Sequence, residues 1–339
     1  MKMKKRKLIL IVLSVVMSTI VWANDTTKTV VTKEVKEIKQ VEPKGKAIVS
    51  VFANFNMTMQ NGVSKCRFQL DRTYLGYQYS LRKGLELKTV MDIGKPSSVD
   101  DYHYVAYIKN AQVSWKHKGL TLAGGMISTT QFNMQEKFWG YRYIYKSFQD
   151  QYKFGSSADL GLMVAYKFAD WVSADVIMTN GEGYKKVQGD LGFQYGLGLT
   201  FMPVEGLSVR LYGGLNDATA EGKSDVYNYA AFVGYKNKAF SLGGEFAMMQ
   251  NSGNVEHRNQ LGCSVYGSVK AHKMVDVYAR WDMLTSNDGW NVAKDEMAVI
   301  AGAQVKLGKY VKVAPNFRMT IPKEGENKYM AYVSCYFGL

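Results

Sequence analysis

The chain is poor in residues that staple or break a fold. Three cysteines, Cys66, Cys263 and Cys335, stand far apart in 339 residues. They are too few and too scattered for a disulfide framework and read as small apolar filler. Proline occurs only five times, which suits long ladders of donating backbone. Histidine occurs four times, and no metal-ligand spacing or nucleophile motif accompanies those residues. No metal and no cofactor are therefore expected. After residue 23 no apolar run is long enough for a membrane helix. That absence excludes helices only, because the strands of a transmembrane barrel alternate and escape a hydropathy window. The mean hydropathy of −0.20 is silent on the question.

Negative charge is also scarce, with 29 Asp and Glu against 43 Lys and Arg, a formal balance of +14. Part of the excess lies at the start, MKMKKRKLILIVLSVVMSTIVWA, where five basic residues precede an apolar run from Leu8 to Ile20. A charged start, a short apolar stretch and small residues near Ala23 predict a cleaved secretory signal over 1–23. Its removal takes the balance to +9. An exported chain rarely meets nucleic acid, so no nucleic-acid partner is expected and the excess is read as attraction of anions. Residues 24–45, polar and charged, read as a periplasmic tether.

What the chain has in quantity is alternation. In DLGFQYGLGLTF (190–201) every second residue is large and apolar, and the residues between are small or polar. Side chains on a strand alternate faces, so one face is greasy and the other is not. Such runs recur from residue 46 to 339. Upward strands are predicted near 46–58, 85–94, 119–128, 171–180, 206–216, 239–250, 274–284 and 310–320. Returning strands are predicted near 66–80, 104–116, 158–167, 190–202, 226–236, 259–271, 295–307 and 329–339. Their length suits about 9–11 residues crossing a bilayer at a tilt.

The connections sort by length. Short ones are predicted at 80–84, 116–119, 167–170, 203–206, 236–238, 272–273 and 307–309. Long ones are predicted at 59–65, 95–103, 129–157, 181–189, 217–225, 251–258, 285–294 and 321–328. Short turns at one end and long loops at the other are the mark of an outer-membrane barrel of about sixteen antiparallel strands, with periplasmic turns and extracellular loops. A soluble sandwich has no reason to sort its loops this way. Aromatics such as Trp115, Tyr166, Trp171 and Tyr310 cluster near the short turns, as interfacial girdles do. The last strand, YMAYVSCYFGL, is apolar on one face and is expected to close the barrel against the first. It also resembles the aromatic C-terminal strand that the barrel-assembly machinery recognises. Apolar parity slips within 66–81 and near Lys109-Asn110, and a β-bulge is expected at each place.

Sixteen strands leave an aqueous channel. By parity Glu86, Lys88, Asp92, Asp175, Arg210, Glu245, Lys270, Asp276, Arg280, Asp282, Lys306, Lys312 and Arg318 point inward. Most such charges are merely solvated. A charge facing a narrow pore nevertheless acts through a focused field. Lys88, Arg210, Arg280, Lys306 and Arg318, with Asp92, Glu245 and Asp282, are accordingly the candidate pore-lining residues.

The third long connection, TTQFNMQEKFWGYRYIYKSFQDQYKFGS, is too long and too aromatic to stand in water, and loops of this kind are usually functional. Together with RTYLGYQYS and MTNGEGYKKVQGD, its stretch FNMQEKFWGYRYIYKSFQDQYKFGSSADLG resembles porin-like outer-membrane barrels of the Bacteroidetes. These are related in broad style to the O/P-type porins, and the resemblance spans 46–339. It implies passive diffusion of small hydrophilic solutes and ions through a pore narrowed by the third loop. Lys137, Arg142 and Lys146, with Glu136, Asp150, Trp139 and Tyr141, would form that constriction and lend it a mild anion preference. No arginine ladder commits the pore to phosphate. The resemblance to sixteen-stranded porins also implies a homotrimer in outer-membrane lipid.

Rival classes are a barrel enzyme and a structural or adhesive anchor with a closed lumen. A barrel enzyme needs a histidine with a partner near the outer rim. Only His103 and His257 fall in long connections, near Asp100, Asp101 and Glu256, and solvated loop histidines are far commoner. The chain is expected not to be an enzyme.

Overall fold

The structure, a computed structural model, describes residues 44–95 and 103–339. The expected signal at 1–23, the tether up to residue 43 and residues 96–102 lie outside the described residues. Lys44 and Gly45, placed in the tether by composition, already belong to the first strand.

Every second residue decides the architecture. Sixteen antiparallel strands pair in chain order, and the first pairs with the last, so no edge is left open. They begin with β1 (Lys44–Gln60), β2 (Val63–Arg82), β3 (Leu85–Gly94), β4 (Val105–His117) and β5 (Leu120–Ser128). The connection 129–157 follows and carries two short helices, α1 (Asn133–Trp139) and α2 (Phe148–Gln151). Next come β6 (Ala158–Ala169), β7 (Val172–Thr179), β8 (Gln194–Phe201), β9 (Leu207–Asn216) and β10 (Val226–Lys236). The ring ends with β11 (Phe240–Gln250), β12 (Gln260–His272), β13 (Val275–Ser286), β14 (Glu296–Lys306), β15 (Val311–Pro322) and β16 (Lys328–Gly338). Ladders from Ser50↔Gly338 to Met59↔Tyr329 seal it.

Expected and observed strands agree closely, and β3 and β10 coincide with the predicted spans. Two places differ. The long loop expected at 59–65 is a two-residue turn, because Asn61 (φ 51°) and Gly62 (φ 70°) form the tight left-handed corner that a hairpin favours. The strand expected from residue 190 starts at Gln194, so Asp190–Phe193 belong to the preceding connection.

Within β8 the greasy parity faces out. Leu197 and Leu199 are exposed, whereas Gly196, Gly198 and Thr200 are buried. The glycines make room for neighbours lying across them. A Cβ on Gly196 would sit 2.2 Å from the Tyr212 hydroxyl oxygen, and one on Gly198 2.2 Å from the Arg210 guanidinium. Around the ring the outer face shows the same pattern, with Leu211, Phe246, Val265, Val277, Val299 and Phe317 exposed. Soluble monomers rarely leave large contiguous apolar patches open, whereas this apolar face recurs on strand after strand. Hydrocarbon is the solvent it fits.

Both expected bulges are present. In β2, Phe52 faces Arg72 and Ala53 faces Leu70, which leaves Asp71 without a partner. In β4, Val90 faces Asn110 and Met91 faces Ile108, which leaves Lys109 unpaired. Each bulge re-aims a charged residue that strict alternation would have turned toward lipid.

Candidate functional site

The connection 129–157 is built to pack. Its α1 ends on Gly140, whose φ of 73° suits glycine and whose N–H donates to the Glu136 carbonyl. The Trp139 indole N–H then donates to the Tyr145 carbonyl at 2.9 Å. Gln131 bonds both the Gln149 side chain and the Phe154 carbonyl at 3.0 Å, which ties the start of the connection to its end. Arg142 is gripped by Glu136 and by Asp150, the latter at 2.6 Å. Burial opposes a charge on Asp150, but Arg142 and Lys146 outweigh it and hold the carboxyl at about 2. Burial, with Arg72 and Arg142 nearby, pushes the Lys146 ammonium down against the pull of Asp150.

The aromatics of this connection find partners on the strands. Trp139, Tyr141, Tyr143 and Ile144 share one buried cluster with Phe52, Tyr74 and Val90 and with Phe232, Tyr266, Tyr278 and Ile300. Tyr141 stacks on Tyr278 at 4.6 Å between centroids. Phe148, Tyr152 and Phe154 join Tyr212, Ala230, Ala247 and Leu284 in a second cluster. These partners run from β3 back through the β1–β16 seam as far as β9, all on one face of the wall. One segment reaches them all only from inside the ring.

Three wall arginines fasten it there. Arg210 donates to the Thr130 carbonyl at 2.6 Å, and Arg280 to Lys146 and Arg318 to Ile144, both at 2.7 Å. Each is held by a wall neighbour, Arg318 by the Asn316 side-chain oxygen at 2.8 Å. Asp175 takes two bonds from Arg210. Asp282, itself fully buried, takes two from Arg280 at 2.7 Å and one from Ser264. Arg280 also lies over the Trp139 and Tyr145 rings, at 5.2 Å from each centroid. Glu245 accepts from Gln149 at 3.1 Å. Of the candidate pore-lining charges, Arg210, Arg280, Arg318, Glu245 and Asp282 are thus buried beneath the connection. Lys306 pairs with Asp276 at 2.6 Å, and Lys88 borders a cavity of about 230 Å³.

The remaining charges gather elsewhere. On the β2–β4 wall the Tyr74 hydroxyl oxygen accepts from Arg72 at 3.0 Å, from bulged Lys109 at 3.2 Å and from Arg142 at 3.3 Å. Arg72 also meets Asp92 at 3.0 Å, and Asp92 accepts from the Tyr184 hydroxyl. Lys185 lies over the Tyr107 ring at 4.9 Å, and burial together with Arg72 pushes its ammonium down. Lys88, Lys109, Lys146 and Lys185 form no ion pair among the described residues. Six cations here face four carboxylates, Asp71, Asp92, Glu136 and Asp150. Alternation missed Arg72, Lys109 and Lys185 as site residues, and the broken parity in β2 and β4 was the available signal for the first two.

Of the rim histidines, His257 is exposed and lies 3.9 Å from Glu256. Among the described residues no three metal-binding side chains gather.

No protein-family model and no curated protein sequence matches the chain. Solved structures do. Salmonella typhi OmpF, in a complex with daunomycin, superposes with a TM-score of 0.67 at 12% identity, over 87% of this chain and 98% of that one. The outer membrane channel DcaP of Acinetobacter baumannii matches with 0.67 at 11% identity, over 88% and 97%. An anion-selective porin from Comamonas acidovorans matches with 0.65 at 12% identity, over 88% and 100%. At such identities the likeness shows the fold. The chain has the closed sixteen-stranded barrel of the outer-membrane porins.

Proposed function

We propose that the protein is an outer-membrane porin, a passive channel for small hydrophilic solutes and ions whose lumen is narrowed by the connection 129–157. The observation that carries this reading is the surplus of cations at the gap between that connection and the β2–β4 wall. Low-dielectric walls focus such a field, so small anions are concentrated and cations are repelled. Lys137, Arg142, Lys146, Glu136 and Asp150, with Trp139 and Tyr141, belong to the narrowing segment, and Lys88 and Asp92 to the wall facing it. Arg210, Arg280 and Arg318, with Glu245 and Asp282, act by holding that segment in place. The apolar outer face supports a lipid surround. The likeness to porin barrels, one of them the trimer form of Vibrio cholerae OmpT, and the resemblance of 46–339 to Bacteroidetes porin-like proteins, support a homotrimer exported by a cleaved signal and inserted by the barrel-assembly machinery.

The test is single-channel recording of the purified protein in planar bilayers, with liposome swelling in sugars of rising size. Stepwise openings and a sharp size cut-off are expected. A folded, heat-modifiable barrel that never conducts would overturn the reading in favour of an anchor with a closed lumen.

A further inference from the structure

Three cationic donors converge on one neutral oxygen at Tyr74. A phenol oxygen is a modest acceptor with two lone pairs, yet Arg72, Lys109 and Arg142 all reach it within 3.3 Å. Charged donors make their strong bonds to charged acceptors; Arg72 has Asp92 and Arg142 has Glu136 and Asp150, whereas Lys109 has this oxygen and no carboxylate among the described residues. Two independent features bring the donors there. The bulge at Asp71 turns Arg72 to the inner face, where it neighbours Tyr74 two residues on, and the bulge at Lys109 turns that ammonium inward. Asp71 is occupied elsewhere, accepting from Asn54 at 2.6 Å and Gln69 at 2.7 Å. Beside the phenol lies the cavity of about 230 Å³, whose polar lining includes Lys88, Lys109, Asn110, Ser128 and Asn133. Glu136 borders it too, but that carboxylate is engaged by Arg142. At about 30 Å³ per water, the cavity has room for a compact anion and part of its hydration.

We propose that Arg72, Tyr74, Lys109 and Arg142 form a saturable site for a compact oxyanion, a phosphate or a small carboxylate, in which the phenol oxygen stands in for the anion when the site is empty. On arrival the anion's oxygens take over the donors, and the Tyr74 hydroxyl turns from acceptor to donor. Lys88 supplies further charge from the cavity wall. The proposal rests on the porin reading for its biological sense, since solutes passing the narrowing would meet this site. It goes beyond a general anion preference in requiring saturation.

Calorimetric titration of the full, detergent-folded chain tests it, with inorganic phosphate in one arm and succinate in the other, against a sodium chloride background. Saturable binding in either arm supports the site and names its source. Lys109→Gln is expected to weaken that binding about tenfold, the scale of one charged hydrogen bond, and Tyr74→Phe several-fold. Both variants are checked for folding by heat-modifiable migration. Dilution heats alone in both arms, or binding unaltered in both variants, would overturn the proposal. Calorimetry needs no open pore. A barrel that is silent in bilayers yet binds refutes the porin reading alone, and one that conducts without binding refutes the site alone.

Discussion

Arg280 and Lys109 both point into the ring of strands, and they meet different surroundings. On the β12–β13 wall, Arg280 is 2% exposed, locked to Asp282 and roofed by Trp139 and Tyr145. On the β2–β4 wall, Lys109 borders open space beside Tyr74 and has no carboxylate partner. One region locks its cation into a buried ion pair, and the other leaves the Lys109 ammonium beside a cavity with a phenol oxygen in place of a carboxylate. Facing the lumen is therefore not the same as lining the pore. The connection 129–157 touches both walls, sealing Arg280 under Trp139 and Tyr145 on the first and leaving a cavity beside Lys109 on the second.

The sharpest way to break this contrast is to remove Asp282. Asp282→Ala leaves Arg280 buried without its partner and should cost about 3–5 kcal/mol, read as earlier loss of heat-modifiable migration in urea. A cost below about 1 kcal/mol, the range of exposed pairs, would mean that this wall is wet. Leu197→Lys sets a charge on the apolar outer face and should cost about 2–4 kcal/mol near the bilayer midplane. Normal assembly of that variant would sink the inside–outside assignment on which the contrast depends.

Asp150 gives the connection 129–157 a pH dependence. Its carboxyl is lowered from 3.8 to about 2. A depressed carboxyl adds stability that is full above its unfolded value and fades as pH falls through its folded one. Asp150→Asn should therefore cost about 2 kcal/mol at pH 7, with the gap between variant and native protein closing as pH drops from 4 toward 2. A gap that persists at pH 2 would place the contribution in packing rather than charge. The smallest effect on stability belongs to Lys109→Gln, within about 0.5 kcal/mol, although it should move ion preference measurably toward neutrality.

The strand plan was legible because a half-lipid, half-water barrel repeats one rule in every strand. The same rule located both bulges, since Lys109 on a lipid-facing parity had to be displaced. It missed the Asn61-Gly62 corner, where length sorting predicted a loop although the dipeptide itself encodes a turn. The functional residues were read less well. Parity sends Arg280, Arg318 and Glu245 inward but says nothing about what covers them, because that depends on contacts between residues far apart in the chain, such as Arg280 with Lys146. Arg72 and Lys185 escaped for a related reason: one follows a bulge, and the other sits in the connection between β7 and β8.

The most direct test is the reversal potential of the purified protein under a KCl gradient, measured beside Lys109→Gln. The expectation is a potential on the anion side for the native barrel and a shift toward zero for the variant. A native potential on the cation side, or one that Lys109→Gln leaves unmoved, would contradict it.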